Sequence, residues 1–180
     1  MDRKIIYWSL FVHGPWEMYL AATTQGLCYV GSDHKGFEEL VDWVQKKFPQ
    51  HQLEPDDQRM HIFADQFAEY FQGKRTKFTF PTDFYGTPFQ QSVWNALNEI
   101  PYGSTHTYSE IAEFLQKPKS VRAVASAIGA NPILITVPCH RVIGKNGKLT
   151  GFRGGLEMKE KLLDLEKLPS TMKGLKAHAK

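Results

Sequence analysis

The 180-residue chain has few of the features that mark secreted or membrane proteins. It contains two cysteines, Cys28 and Cys139, and therefore neither a disulfide framework nor a CxxC pair. No apolar stretch approaches the roughly 20 residues of a membrane span, and the N-terminus shows no signal-peptide cleavage pattern. We therefore expect a protein of the reducing cytoplasm, without membrane contact, in which a reactive thiol survives.

The single cysteine of the first half also bears on metal binding. Structural zinc sites usually use two or more Cys ligands, and Cys28 has only His13 and His34 near it in sequence. We therefore expect no bound metal, and no motif in the chain indicates a cofactor.

Charge is distributed unevenly along the chain. Residues 1–86 hold 9 Lys+Arg and 12 Asp+Glu, whereas residues 87–180 hold 13 and 7. A basic second half favours a polyanionic partner such as DNA, although ordinary surface variation remains an alternative on charge alone.

Periodicity and turn residues predict an α+β fold in two domains. Apolar runs at residues 4–12, 16–23 and 27–30, with short turns between them, predict an antiparallel meander. Two amphipathic helices and a short strand at residues 77–80 follow. The Pro- and Gly-containing segment 81–86 is the predicted boundary. Residues 1–86 then form a small N-terminal antiparallel sheet with helices. Residues 87–180 form a mainly helical domain with a basic tail after about residue 169.

The second half contains a predicted helix-turn-helix. Thr87 and Pro88 have the residue types of a helix start. Further on, helices at residues 107–115 and 121–129 are joined by a tight break, with Ser120 as the predicted cap of the second. Small residues in that second helix favour either close approach to a groove or tight core packing. A helical pair in an ordinary core is the alternative interpretation.

Cys139 lies in the stretch around which the chain is organised. The apolar run 133–137 predicts a buried strand, which Pro138 ends, so that Cys139 lies at the rim of a core. A thiol becomes a nucleophile when a base accepts its proton and a carboxylate orients that base. His140 and Glu166 are the candidates. Neighbouring strand residues point to opposite faces, so we expect a bridging water between Cys139 and His140. The alternative is a buried structural Cys beside a surface His.

Residues 144–155 contain five glycines, at a spacing that fits neither a P-loop nor a dinucleotide-binding motif. This segment, called the glycine-rich loop below, is better interpreted as the backbone lining of a pocket for a flat base.

Residues 101–166 resemble the catalytic domain of the 6-O-alkylguanine-DNA alkyltransferases, whereas residues 1–86 match only loosely. The blocks that carry the resemblance occur in the same order: Ile100-Pro101-Tyr102-Gly103, Thr107-Tyr108, Arg122-Ala123-Val124, Asn131-Pro132, Pro138-Cys139-His140-Arg141-Val142, Gly154-Gly155-Leu156 and the segment from Lys159 to Glu166.

The resemblance implies direct repair of alkylated DNA by a single-turnover methyltransferase. An alkyl group moves irreversibly from the 6-oxygen of guanine, and also from the 4-oxygen of thymine, to Cys139. It implies that Glu166 orients His140, that Tyr108 displaces a phosphate and donates a hydrogen bond to the leaving guanine, and that Arg122 replaces the flipped nucleotide. The implied DNA contacts are Tyr108, Ser109, Arg122, Ala123, Asn131 and Arg141. The implied pocket residues are Val142, Phe152, Arg153 and Gly154.

The expected partner is double-stranded DNA with alkylated guanine, bound by a monomer. Some relatives carry an aromatic residue followed by a small one where this chain has Phe152-Arg153, which leaves the accepted alkyl size open. One rival is an alkyltransferase-like protein that recognises lesions without repair, but those proteins lack the cysteine that stands here at Cys139. The other rival is a cysteine hydrolase, which needs an oxyanion hole that nothing in the sequence specifies.

Overall fold

The computed structural model describes residues 4–167, so the predicted tail after about residue 169 lies outside the described residues. These residues form two compact units, an N-terminal unit up to Tyr85 and a C-terminal unit, Gly86–Lys167. Within the described range no helix has the length and hydropathy needed to cross a membrane.

A four-stranded sheet forms the centre of the N-terminal unit. Strands β1 (Ile5–His13), β2 (Trp16–Thr23) and β3 (Gly26–Val30) pair antiparallel in sequence order, which confirms the predicted meander. Strand β4 (Gln52–Pro55) was not predicted. It pairs parallel with β1, giving the order β3-β2-β1-β4, so the sheet is mixed rather than purely antiparallel.

Helices α1 (Phe37–Lys47) and α2 (Asp57–Phe71) pack on the sheet. Side chains alternate between the faces of a strand, and β1 accordingly places Ile6 in the cluster that contains residues of α1 and Phe11 against the rings of α2. The Asp56 side chain caps α2 by accepting from the Arg59 N–H at 2.9 Å.

The predicted strand at residues 77–80 is wrong. Phe78 and Phe80 instead pack their rings around Phe67 of α2. Pairing with β3 begins only at the next residues, where the Leu27 N–H donates to the Pro81 carbonyl at 3.0 Å. Phe80 is buried and Phe78 partly buried because of side-chain packing and not because of a backbone ladder.

The C-terminal unit contains α3 (Pro88–Leu97), β5 (His106–Thr107), α4 (Tyr108–Phe114), α5 (Val121–Gly129), β6 (Val142–Ile143) and α6 (Leu156–Lys167). Thr87 caps α3 in a reciprocal capping box with Gln90, as its residue type predicts. The buried Trp94 indole N–H donates to the Ala127 carbonyl at 2.8 Å and so fixes α3 against α5.

Helices α4 and α5 form the predicted helix-turn-helix. The Lys117 N–H donates to the Ala112 carbonyl at 2.8 Å and the Gln116 N–H to the Glu113 carbonyl at 2.9 Å, which is a Schellman motif. Gln116 takes the left-handed conformation, with φ of 58°, that ends α4. Ser120 stands at the N-cap of α5, but its side chain makes no capping hydrogen bond there.

Helix α5 has two different faces. Val124, Ala127 and Ile128 are buried, whereas Arg122, Ala123 and Ser126 are exposed. Ala127 packs in the core, as one interpretation of the small residues expects. Ala123 is exposed on the outer face, where close approach to a groove stays a prediction.

Candidate active site

The segment before Cys139 is buried as predicted, but it is not a strand. The Val137 N–H donates to the Ile133 carbonyl at 3.1 Å and the Thr136 N–H to the Leu134 carbonyl at 2.7 Å. Ile135 has a φ of 70°, which is uncommon for a β-branched residue. Residues 131–138, called the Cys139 turn below, thus fold back on themselves. Cys139 then begins a 3-10 helix, Cys139–Arg141, and is buried rather than at an accessible rim.

Asn131 holds this turn together from inside. Its Oδ1 accepts from the Ile133 N–H at 2.9 Å. Its Nδ2 lies 3.0 Å from the Val137 carbonyl and 3.1 Å from Cys139 Sγ. These contacts satisfy buried backbone groups that a strand ladder would otherwise have satisfied, which explains why the predicted strand does not form. Asn131 is completely buried, and its side chain braces the Cys139 turn. Its place among the DNA contacts stays a prediction.

Glu166 and His140 form a buried pair beside this turn. Glu166 Oε2 lies 2.7 Å from His140 Nε2, and both side chains are inaccessible to solvent. An ionised carboxylate only accepts hydrogen bonds, so in a neutral imidazole Nε2 carries the proton and the lone pair is on Nδ1. His140 Nδ1 is buried and has no hydrogen-bond partner within residues 4–167.

The electrostatics of the pair favour this protonation state. Burial lowers the pKa of His140, although the Glu166 carboxylate acts against that shift. Burial would raise the pKa of Glu166, but His140 and Arg141 outweigh it and hold the pKa below its usual range. At neutral pH, His140 is therefore neutral and Glu166 is charged.

These two shifts make the stability of the C-terminal unit depend on pH. Ordinary pKa values are about 6.5 for His and about 4.3 for Glu. The pKa values of both groups are lower in the folded protein. As the pH falls through the ordinary values, the unfolded chain therefore binds protons that the folded protein does not, and this favours unfolding. We expect the free energy of unfolding to fall between pH 7 and pH 5 and to fall again below pH 4.

His140→Gln keeps a donor for Glu166 without a titrating ring. This variant should lose less stability than the wild type between pH 7 and pH 5, as measured by urea unfolding at each pH. Equal losses in the two proteins would contradict a neutral, buried His140.

Arg141 is buried within the core, and its assignment as a DNA contact stays a prediction. Its Nε donates to Glu166 Oε1 at 2.8 Å and its Nη2 to Glu166 Oε2 at 3.0 Å. Its Nη1 donates to the Ile100 carbonyl at 2.8 Å. This two-point pairing is the geometry that arginine makes best with a carboxylate. Arg141 therefore fixes Glu166, and through it His140, from within the core.

The short strands β5 and β6 bring Tyr108 to the same region. β6 directly follows the 3-10 helix and pairs parallel with β5, which leads into α4 at Tyr108. The Tyr108 hydroxyl donates to the Thr150 carbonyl of the glycine-rich loop at 3.1 Å. The structure thus places Tyr108, Cys139 and the glycine-rich loop around one site.

Lys159 is the site residue that sequence reasoning missed. Its side chain on α6 is buried, and its Nζ donates to the same Thr150 carbonyl at 2.8 Å. Burial lowers the pKa of Lys159 to about 8, with Cys139 acting in the opposite direction. The available signal was its spacing of seven residues from Glu166, which places both on one face of a helix.

Opposing influences act on the Cys139 thiol. The pKa of Cys139 is raised, because the effect of burial outweighs that of the Asn131 amide and of the positive charges of Arg153 and Lys159, which lower it. The other thiol, Cys28, is buried in the N-terminal unit, where burial and then Asp83 raise its pKa far above the ordinary range. Cys139 is therefore the candidate nucleophile of the two.

The predicted pocket residues differ in their exposure to solvent. Val142 is fully buried, whereas Phe152, Arg153 and Gly154 are partly exposed. A Cβ on Gly154 would collide with Met158 Sδ and the Phe152 ring, so the close packing of this loop requires glycine there.

The remaining predicted DNA contacts lie on the helix-turn-helix. Arg122 and Ala123 are exposed on α5, Ser109 is partly exposed on α4, and Lys117 and Lys119 are exposed in the turn between them. Across residues 4–167, His, Cys, Asp and Glu side chains form no group of three or more that is suited to a metal ion.

Comparisons with known proteins give one family. The family model described as "6-O-methylguanine DNA methyltransferase, ribonuclease-like domain" matches residues 6–84. The model described as "6-O-methylguanine DNA methyltransferase, DNA binding domain" matches residues 88–168. The two matches together span nearly all of the described residues.

Individual relatives match over most of their length. The inducible methylated-DNA–protein-cysteine methyltransferase of Bacillus subtilis is 55% identical over 170 residues, which cover 94% of this chain and 95% of that protein. The methylated-DNA–protein-cysteine methyltransferase of Methanosarcina acetivorans is 43% identical, covering 89% and 98%. The crystal structure of Mycobacterium tuberculosis OGT in complex with DNA has a TM-score of 0.75 at 37% identity, covering 95% of this chain and 99% of that one. The chain therefore belongs to the 6-O-methylguanine DNA methyltransferase family.

Proposed function

We propose that this protein repairs DNA by moving an alkyl group from the 6-oxygen of guanine to Cys139, once per molecule. The observation that carries the proposal is the buried arrangement of Glu166, His140, Asn131 and Cys139. It provides a thiol with a hydrogen-bond donor at 3.1 Å from its sulfur and a neutral imidazole oriented by a carboxylate. The 4-oxygen of thymine is a second substrate atom in this proposal.

The transfer is a displacement at the alkyl carbon. The Cys139 thiolate attacks that carbon, the bond from carbon to the 6-oxygen breaks, and its electron pair stays with the guanine. A proton from Tyr108 or from water then completes the guanine. The product at Cys139 is a thioether, and none of the site residues described above provides chemistry that would cleave it, so the protein acts once.

We assign to His140 the removal of the thiol proton, through a bridging water at Nδ1. That nitrogen carries the lone pair because Nε2–H is held by Glu166. Arg141 holds Glu166 at both oxygens and thereby acts through the pair. Substitutions at His140 or Glu166 are expected to slow transfer without changing the number of alkyl groups accepted.

We propose that α5 enters the duplex at the lesion and that residues 87–180 form the DNA-binding and catalytic domain. The exposed small residues of α5 permit close approach to a groove, and the exposed Arg122 replaces the flipped nucleotide. Exposed lysines in the turn, such as Lys119, contact phosphates with little sequence preference. The protein acts in the cytoplasm as a monomer, and it needs no metal or cofactor for these steps.

Arg122→Ala tests whether Arg122 replaces the flipped nucleotide or only contacts phosphate. This variant should bind undamaged duplex only modestly less tightly, with the salt slope of binding reduced by about one. Its rate of methyl transfer should fall much more, because the flipped nucleotide is no longer replaced. Lys119→Ala is the matched control, and its transfer should fall only in proportion to its binding. Parallel losses of binding and transfer in Arg122→Ala would show that Arg122 only contacts phosphate.

The proposed function is tested by mixing the protein with duplex that contains one 6-O-methylguanine. Peptide mass spectrometry should find the methyl group on Cys139, and nucleoside analysis should find unmodified guanine in the DNA. A lesion-recognition protein without repair activity would bind this duplex and leave both unchanged.

A further inference from the structure

Arg153 connects the glycine-rich loop to the Cys139 turn. The sequence placed it in the pocket wall, where its size bears on the accepted alkyl group. Its guanidinium instead reaches back to the start of the turn. Nε donates to the Asn131 carbonyl at 3.3 Å and Nη2 donates to the Pro132 carbonyl at 3.1 Å. The side chain is partly buried, so these contacts are only partly exposed to solvent.

These contacts continue to the sulfur. Arg153 donates to the backbone carbonyl of Asn131. The side-chain amide of the same Asn131 lies 3.1 Å from Cys139 Sγ. The backbone carbonyl of Asn131 is therefore held by Arg153 of the glycine-rich loop, and its side chain is held by Ile133, Val137 and Cys139. The positive charge of Arg153 also lowers the pKa of Cys139, against the larger effect of burial, which raises it.

We propose that Arg153 is a positioning residue for the transfer, which fixes the glycine-rich loop on the Asn131–Pro132 carbonyls and places a positive charge beside the Cys139 thiolate. The role of Arg153 in alkyl transfer rests on the proposed function. The two contributions are separable because lysine supplies a charge but not the planar group that donates to two carbonyls together. Arg153→Lys therefore keeps the charge and weakens the tether, whereas Arg153→Gln removes the charge.

The first experiment needs no DNA. Alkylation of Cys139 by iodoacetamide is followed across pH by peptide mass spectrometry in the wild type, in Arg153→Gln and in Arg153→Lys. The control is Lys148→Gln, which removes an exposed charge from the same loop. Arg153→Gln should need higher pH for the same rate and react about tenfold more slowly at pH 7, the scale of one lost charge-assisted interaction. Arg153→Lys and Lys148→Gln should keep the wild-type profile.

The second experiment measures methyl transfer from the lesion duplex by the same proteins. Both Arg153 variants should transfer more slowly than the wild type, because both lose the two-carbonyl tether. If Arg153→Gln does not fold, Arg153→Lys still tests the tether through this rate. Wild-type transfer by Arg153→Lys would contradict the tether, and an unchanged thiol pH profile in Arg153→Gln would contradict the charge effect. A wild-type protein that accepts no methyl group refutes the proposed function, while the iodoacetamide profile still decides the role of Arg153.

Discussion

Cys139→Ala is expected to bind duplex containing 6-O-methylguanine and to transfer no methyl group. The substitution removes the only atom that forms the new bond. It leaves α5 and its exposed Arg122 in place, so lesion binding should remain within a small factor of the wild-type value. Binding is measured by fluorescence anisotropy, and transfer by the appearance of unmodified guanine in the DNA.

Cys28→Ala is the matched control for this experiment. Cys28 is buried in the N-terminal unit and has no part in the proposed chemistry, so this variant should transfer one methyl group as the wild type does. Repair activity retained by Cys139→Ala would refute the mechanism, because a different nucleophile or a different reaction would be required.

Glu166→Ala is expected to have the largest effect on stability. It would leave the buried Arg141 guanidinium without its carboxylate partner and His140 without the acceptor that fixes its tautomer. Removing one partner of a buried ion pair costs about 3–5 kcal/mol, since the remaining charge stays buried and uncompensated. The loss is measured by urea unfolding, with amide hydrogen exchange used to assign it to the C-terminal unit.

Glu157→Ala provides the comparison on the same helix. Glu157 is exposed on α6, where it pairs with Lys161 at 3.2 Å. Its substitution should change the free energy of unfolding by no more than about 0.5 kcal/mol. Similar, small effects of the two substitutions would show that the Glu166 pair does not hold the core together.

Local signals predicted most of the helices and the first three strands. Thr87 and Pro88 begin α3 through a capping box and the fixed φ of proline, both of which depend on adjacent residues only. Strand β4 has no such local signal. This strand, Gln52–Pro55, has only four residues and is polar at one end. It forms because its backbone pairs with the edge of β1.

The Cys139 turn shows why a buried apolar run is ambiguous. Residues 133–137 satisfy the composition of a strand, and periodicity alone cannot separate a strand from another buried segment. The choice is made by Asn131, whose amide takes over the hydrogen bonds that a neighbouring strand would have made. An Asn at this position is typical of a turn, but the sequence does not show that its amide replaces the hydrogen bonds of a strand.

Buried charged residues are the other part of the site that the sequence did not predict. The burial of Arg141 was not expected and Lys159 was passed over, because arginine and lysine are exposed in most proteins unless they are paired. The Glu166 carboxylate that pairs with Arg141 is 25 residues away in sequence. The carbonyl that Lys159 contacts belongs to Thr150 of the glycine-rich loop. Neither pairing has a local sequence signal, whereas the order Cys139, His140, Glu166 was recognisable from its motif.

The number of lesions repaired per protein molecule distinguishes a single transfer to Cys139 from repeated catalysis. The protein is mixed with excess duplex containing 6-O-methylguanine, and repaired guanine and intact protein mass are followed together. We expect a burst of one repaired base per chain, then no further repair, with a mass increase of one methyl group that maps to Cys139. Repeated turnover, or repair without methylation of Cys139, would contradict a single transfer to this thiol.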